Sequence, residues 1–139
     1  MALLTIITPT YNRADCLPLC WRSLCAQTVF DFQWLIVDDG STDDTAAVVR
    51  DLQARTDRFS IDYVSKPNGG KHTALNASHP HIRGEYVTVL DSDDTLTPDA
   101  VETILEKWKL FAQEGLAKGV YFLHITSNQQ MHVEKIVVK

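Results

Sequence analysis

Glycine is scarce in this chain, with six in 139 residues. None of them frames GxxxxGK[ST] or GxGxxG, so the two glycine-coded nucleotide loops are excluded. Cysteine is scarce too. Cys16, Cys20 and Cys25 fall in one short stretch without a CxxC pair. That odd count argues against a disulfide framework and suits a reducing, cytosolic setting. No apolar run is long enough to span a bilayer. The opening Met-Ala-Leu-Leu-Thr-Ile-Ile-Thr has neither a basic flank nor a small-residue cleavage site, so it does not read as a signal peptide. Positive charge is the last shortage. Thirteen Lys and Arg against eighteen Asp and Glu leave a net charge of -5, a poor balance for gripping a nucleic-acid backbone. It also disfavours phosphate ligands, unless a cation or backbone dipoles reverse the sign locally.

What is present is ordinary for a folded domain: 45% apolar, 22% charged and 9% aromatic residues. One domain is expected from this length. The apolar pattern alternates between two periods. Leu3 to Thr8 is a continuous β-branched run, as in a strand buried on both faces. Leu17, Trp21, Leu24, Cys25 and Thr28 then recur at helical spacing, with Asp15 as expected N-cap and Pro18 in the first turn. Phe32 to Val37 reads as a second buried strand. Ser41 and Asp44 have capping-box spacing before a helix whose inner face is Thr45, Val48, Val49 and Leu52. A short strand over 60–64, a turn over 66–70 and a short helix over 71–78 follow. Glu85 to Leu90 is a fourth strand. Thr97-Pro98-Asp99 opens a helix with Val101, Ile104, Leu105, Trp108 and Phe111 or Ala112 inside and a stop at Gly115. The runs 120–126 and 133–138 suit a hairpin. This order predicts an α/β fold: an open, mostly parallel twisted sheet with helices on both faces and a C-terminal hairpin.

The chemically informative residues lie just after strand ends, and in such a sheet those loops open on one edge, where ligands bind. Asp91-Ser92-Asp93-Asp94 crowds three carboxylates that repel one another unless a cation sits among them, and hard oxygen donors suit Mg²⁺ or Mn²⁺. Helix capping is the competing explanation, but it needs only one side chain; Asp99 and Glu102 fit it well. Gly69-Gly70-Lys71-His72 resembles a phosphate cradle at a helix start, although a plain turn explains the glycines alone. Lys71 in a first turn opposes the helix dipole, which makes sense opposite an anion. His72 is either a phosphate donor or simply exposed. Of Asp38 and Asp39, one is expected to be structural and the other to touch a ligand. Cys16 and Cys20 read as small packing residues, as do Trp21, Trp34 and Trp108. His79 and His81 read as solvated.

Four segments together resemble a known family: Thr8-Pro9-Thr10-Tyr11-Asn12-Arg13, Val37-Asp38-Asp39-Gly40-Ser41-Thr42-Asp43, Asn68-Gly69-Gly70-Lys71 and Leu90-Asp91-Ser92-Asp93-Asp94. In order and spacing they are similar to the family 2 glycosyltransferases of the GT-A, Rossmann-like fold, over residues 3–113. The resemblance implies that Pro9, Tyr11 and Arg13 border the nucleobase and ribose. Asp39 would bind the base edge, uracil foremost, with Asp38 beside it. Asn68, Gly69 and Lys71 would belong to the same nucleotide site, with Lys71 near the base or diphosphate. Asp91-Ser92-Asp93 is the family's DXD motif. Asp91 and Ser92 would serve the nucleotide, and Asp93, Asp91 and Asp94 are the candidate ligands of Mn²⁺ or Mg²⁺. The implied reaction is inverting transfer from a UDP-sugar to a hydroxyl of a saccharide or lipid-linked acceptor. No nucleic acid and no transmembrane segment are expected, and the implied location is the cytoplasm or the inner face of the membrane. The family's catalytic base is an acidic residue in a second half. Here the late glutamates, Glu114 and Glu134, lack its context. Residues 1–139 are therefore read as one donor-binding domain that ends before the acceptor half.

Three rivals fit less well. A sugar-nucleotide nucleotidyltransferase resembles its relatives through a glycine-rich loop after the first strand, where this chain has Pro9-Thr10-Tyr11-Asn12-Arg13. In a signalling receiver domain the Lys-Pro pair follows the phosphoacceptor strand, whereas Lys66-Pro67 precedes Asp91. A glycoside hydrolase needs carboxylates on two sides of a bond, and these are adjacent in sequence. A non-catalytic nucleotide-binding module remains as the alternative.

Overall fold

The computed structural model describes residues 2–113, 119–127 and 130–138, with side chains as far as Leu110. Strands β1 (Leu4–Thr10), β2 (Phe32–Asp38), β3 (Ser60–Ser65) and β4 (Tyr86–Val89) alternate with helices α1 (Leu17–Cys25), α2 (Thr45–Ala54), α3 (Lys71–Ser78) and α4 (Ala100–Gln113). The strands form one parallel sheet in the order β3-β2-β1-β4. A separate antiparallel pair, β5 (Gly119–Ser127) and β6 (Gln130–Val138), gives the expected hairpin, and β6 runs beside β4. The expected stop at Gly115, the residue Glu114 and the turn residues Asn128 and Gln129 lie outside the described residues.

The sheet is covered on both faces because successive strand residues point opposite ways. Leu4, Ile6, Phe32, Trp34 and Ile36 pack on one face against Leu17, Cys20 and Leu24 of α1, Val49 and Leu52 of α2, and Val101 and Leu105 of α4. Ile7, Leu35 and Val37 pack on the other against Ala74 of α3. This is why every residue of β1 and β2 is buried. The buried Trp34 indole meets its polar need by donating to Thr8 Oγ1 at 2.8 Å.

Three helix faces are narrower than the sequence predicts. Trp21 and Cys25 are half-buried on α1, and Thr28 is exposed. Trp21 lies at the edge, where its indole donates to Thr56 Oγ1 at 2.8 Å and the Arg55 guanidinium lies 4.6 Å above its ring. Val48 and Ile104 are likewise only half-buried.

The caps differ more. Asp15 does not cap α1; Cys16 precedes the helix, with no side-chain cap bond. Ser41 and Asp44 do not form a capping box. Ser41 Oγ instead accepts from Asn12 N–H, and Asp43 Oδ1 accepts from Thr45 N–H at 3.1 Å. Helix α4 begins at Ala100 rather than behind a Thr97 cap. Its orphan Val101 N–H is met by Gln27 Oε1 at 3.0 Å, while Gln27 Nε2 donates to Thr97 O at 2.8 Å and Ser23 O at 3.0 Å. At Ser41 and at the start of α4 a partner distant in sequence displaced the local one. The Gln27 carboxamide also fixes the loop between β4 and α4, which carries the aspartate cluster.

Candidate active site

The C-terminal ends of the four strands bring their loops to one rim. The loop after β1 is buckled onto the loop after β2 by Asn12. This residue sits at φ 50, a left-handed conformation that asparagine tolerates. Its Oδ1 accepts from Thr42 N–H at 2.8 Å and its own N–H donates to Ser41 Oγ at 2.9 Å. Ala14 N–H adds a bond to Asp43 Oδ2 at 3.1 Å. Gly40 takes φ 81, and a Cβ there would stand 2.8 Å from Asn68 N. Only glycine lets the loops after β2 and β3 approach this closely.

Asp38 and Asp39 divide as adjacent residues on a strand end must. Asp38 is buried, accepting from the Tyr63 hydroxyl and, at 2.8 Å, from Ser41 N–H. Burial foremost, and then this bond, push the Tyr63 phenol up to about 12. Asp39 turns toward the cleft, and its carboxylate is held by four donors. Oδ1 accepts from Lys66 Nζ at 2.6 Å and Gly69 N–H at 3.0 Å. Oδ2 accepts from Gly70 N–H at 2.8 Å and Asn68 Nδ2 at 3.3 Å. The Lys66 bond, aided by the Gly70 and Gly69 amides against the effect of burial, holds the Asp39 carboxyl below the usual carboxylate range.

The cleft itself has a volume of about 210 Å³ and is open to solvent. Pro9, Tyr11 and Arg13 line it from the first loop, Asp39 from the second, Lys71 from the start of α3, and Asp91, Ser92 and Asp93 from the loop after β4. Tyr11 leaves 47% of its surface exposed on the cleft wall. Lys71 Nζ and Asp91 Oδ1 form an ion pair at 2.5 Å.

Several expected residues lie behind the wall rather than on it. Asp38, Asn68 and Gly69 do not line the cleft; the last two hold Asp39 from behind. His72 is exposed but off the wall, and so is Asp94, whose N–H closes a turn onto Asp91 O at 3.0 Å. The expected three-aspartate set is therefore not assembled. Among the described residues no group of three His, Cys, Asp or Glu could enclose a metal ion. The pair Asp91 and Asp93 still fits a shared Mg²⁺ or Mn²⁺ site, because such ions take one or two carboxylates and complete their shell with phosphate oxygens and water.

Two residues were not singled out from the sequence. Thr10 lines the cleft, and its Oγ1 is buried without a hydrogen-bond partner among the described residues. Its place between Pro9 and Tyr11 was the available signal. Lys66 carried none, because a Lys-Pro turn looks the same whether or not its ammonium folds back.

The model for the family described as Glycosyl transferase family 2 matches residues 5–128. The chondroitin synthase of Pasteurella multocida (strain Pm70) is 43% identical over 106 residues, 76% of this chain and 11% of that protein. Among solved structures, S. aureus TarS 1-349 in complex with UDP-GlcNAc has a TM-score of 0.64 and 27% identity, covering 82% of this chain and 32% of that one. The mannosyltransferase PcManGT from Pyrobaculum calidifontis, in complex with GDP-Man and Mn2+, also has a TM-score of 0.64, with 29% identity over 67% of this chain and 28% of its own. This chain thus spans about a tenth to a third of these proteins.

Proposed function

The chain belongs to glycosyl transferase family 2, and on that premise we propose that its cleft binds the nucleoside diphosphate of a sugar donor, UDP foremost, in the donor-binding part of an inverting glycosyltransferase. The observation that carries this reading is the meeting of Asp39, Lys71 and Asp93 on one cleft, although 32 and 22 residues of chain separate them in turn. Tyr11 offers a free ring face on which a base can stack. Asp39 accepts a base N–H, which replaces its longest bond, the one from Asn68 Nδ2. Arg13 and Thr10 border the base and ribose. Lys71 exchanges Asp91 for a phosphate oxygen and so supplies positive charge to the diphosphate.

Asp93 and Asp91 would hold Mg²⁺ or Mn²⁺ against that diphosphate. Such an ion, when bound, neutralises charge on the leaving group. UDP-GlcNAc in TarS and Mn2+ in PcManGT support the donor class and the ion. The acceptor hydroxyl, of a saccharide or a lipid-linked sugar, then displaces the diphosphate from the opposite face of the anomeric carbon. The base that takes its proton comes from outside this cleft, since Asp39, Asp91 and Asp93 all face the donor. No described helix is long and apolar enough to cross a membrane; we place the chain in the cytoplasm or at the inner face of the membrane.

Calorimetric titration with UDP, GDP and dTDP, with and without Mn²⁺, tests the reading. UDP is expected to bind tightest, and more tightly with the ion than without it, and Asp93→Ala is expected to remove that ion dependence. Equal, weak, ion-independent binding of all three would overturn it.

A further inference from the structure

We propose that Lys66 is a positioning residue of the donor site: its ammonium fixes the Asp39 carboxylate in its cleft-facing pose and touches no ligand itself. The ammonium has three protons, and the structure accounts for all three. They go to Asp39 Oδ1 at 2.6 Å, Thr73 Oγ1 at 2.8 Å and Pro67 O at 2.5 Å. Lys66 is mostly buried, its side chain 17% exposed, and it is not on the cleft wall. It therefore has neither a free donor nor a line of approach to a ligand.

Its partners are the parts that build the Asp39 pose. Thr73 Oγ1 accepts from Lys66 and donates to Gly70 O at 2.7 Å, and the Gly70 N–H binds Asp39 Oδ2. The Lys66 N–H also donates to Asp38 O at 2.9 Å, which extends the pairing of β3 with β2 up to the site. The ammonium thus ties together the strand end, the glycine turn and the carboxylate. Without it, the two glycine amides and Asn68 remain, but the buried carboxylate loses its only bonded cation among the described residues. A buried carboxylate without a cation takes up a proton more readily, and a protonated carboxyl accepts a base N–H poorly. The other charges around Asp39 do not replace Lys66. Lys71 is paired with Asp91 at 2.5 Å. Arg13 lines the same cleft but is not bonded to Asp39, and Asp93, on the same wall, and Asp38, the preceding residue, are negative and offer no replacement for a cation.

This inference rests on Asp39 serving the donor base, so its test must separate the two. UDP binding in Mn²⁺ is measured by calorimetry for wild type, Lys66→Met, Lys66→Arg and Asp39→Asn, from about pH 7 down to about pH 5, where a carboxyl freed of its cation begins to titrate. Lys66→Met is expected to bind roughly ten- to a hundredfold more weakly, the range for losing a hydrogen bond to a charged group. The deficit should grow as pH falls, and Lys66→Arg should restore most of it. A merely structural lysine would lower affinity by one factor at every pH. That result, or wild-type affinity in Lys66→Met, overturns the positioning role alone. Loss of UDP binding in wild type overturns the donor reading and this inference together. If Lys66→Met does not fold, Thr73→Val removes one anchor of the ammonium. It should show a smaller deficit that also grows at low pH, and an unchanged affinity would overturn the proposal.

Discussion

Asp39 shows how much a single side chain can be committed before any ligand arrives. A carboxylate has about four acceptor directions, and four protein donors already use them. The same bonding has a consequence for acid stability. The Lys66 bond depresses Asp39, and the Thr45 hydroxyl bond depresses Asp43. Both groups therefore bind protons more weakly folded than unfolded. Their stabilisation is complete above the ordinary carboxylate value, 3.8, and is lost as pH falls below it through the folded values. Urea unfolding midpoints are expected to hold from pH 7 to about 4 and then drop. The double variant Asp39→Asn, Asp43→Asn should show a shallower drop; an unchanged slope would contradict this account.

At the scale of elements, the strands and helices were legible because periodicity reports burial. Leu3 to Thr8 and Phe32 to Val37 read as two-faced strands; the strands are Leu4–Thr10 and Phe32–Asp38, buried throughout. Helix α3 was read as Lys71 to Ser78, the bounds it has. Caps were not legible. The sequence suggests Asp15, Ser41 and Thr97 from local chemistry; Asp15 makes no cap bond, and for Ser41 and the start of α4 the fold offered partners that no local window contains. Gln27 is the clearest case, a buried glutamine in α1's exit that caps a helix more than 70 residues later. The candidate site was legible as four loops, because strand ends in a parallel sheet share a rim. The division between Asp38 and Asp39 was legible as a division, since strand neighbours point apart, but which faced the cleft depended on Tyr63 and Lys66. Gln27→Leu keeps the volume and removes the bonds to Val101 N, Thr97 O and Ser23 O. It is expected to lower unfolding free energy by about 2–4 kcal/mol, as stranded backbone groups do. A loss under about 0.5 kcal/mol, the scale of a neutral surface change, would show that water replaces it.

At the scale of the whole molecule, an acidic chain is expected to hold an acidic ligand. The structure resolves part of that tension by geometry. Lys71, Arg13 and the aspartate pair face one cleft, while Asp38 and Asp43 are turned away into bonds of their own. A cation shared with the ligand would supply the rest. The central claim is that all four loops close on one ligand, and amide chemical shifts read during titration with Mg²⁺ and UDP test it most directly. Shifts are expected together at Thr10, Asp39, Lys71 and Ser92, with Gln33 and Gly84 at the far ends of the strands unchanged. Shifts confined to one of those loops, or centred on Gln33 and Gly84, would contradict it.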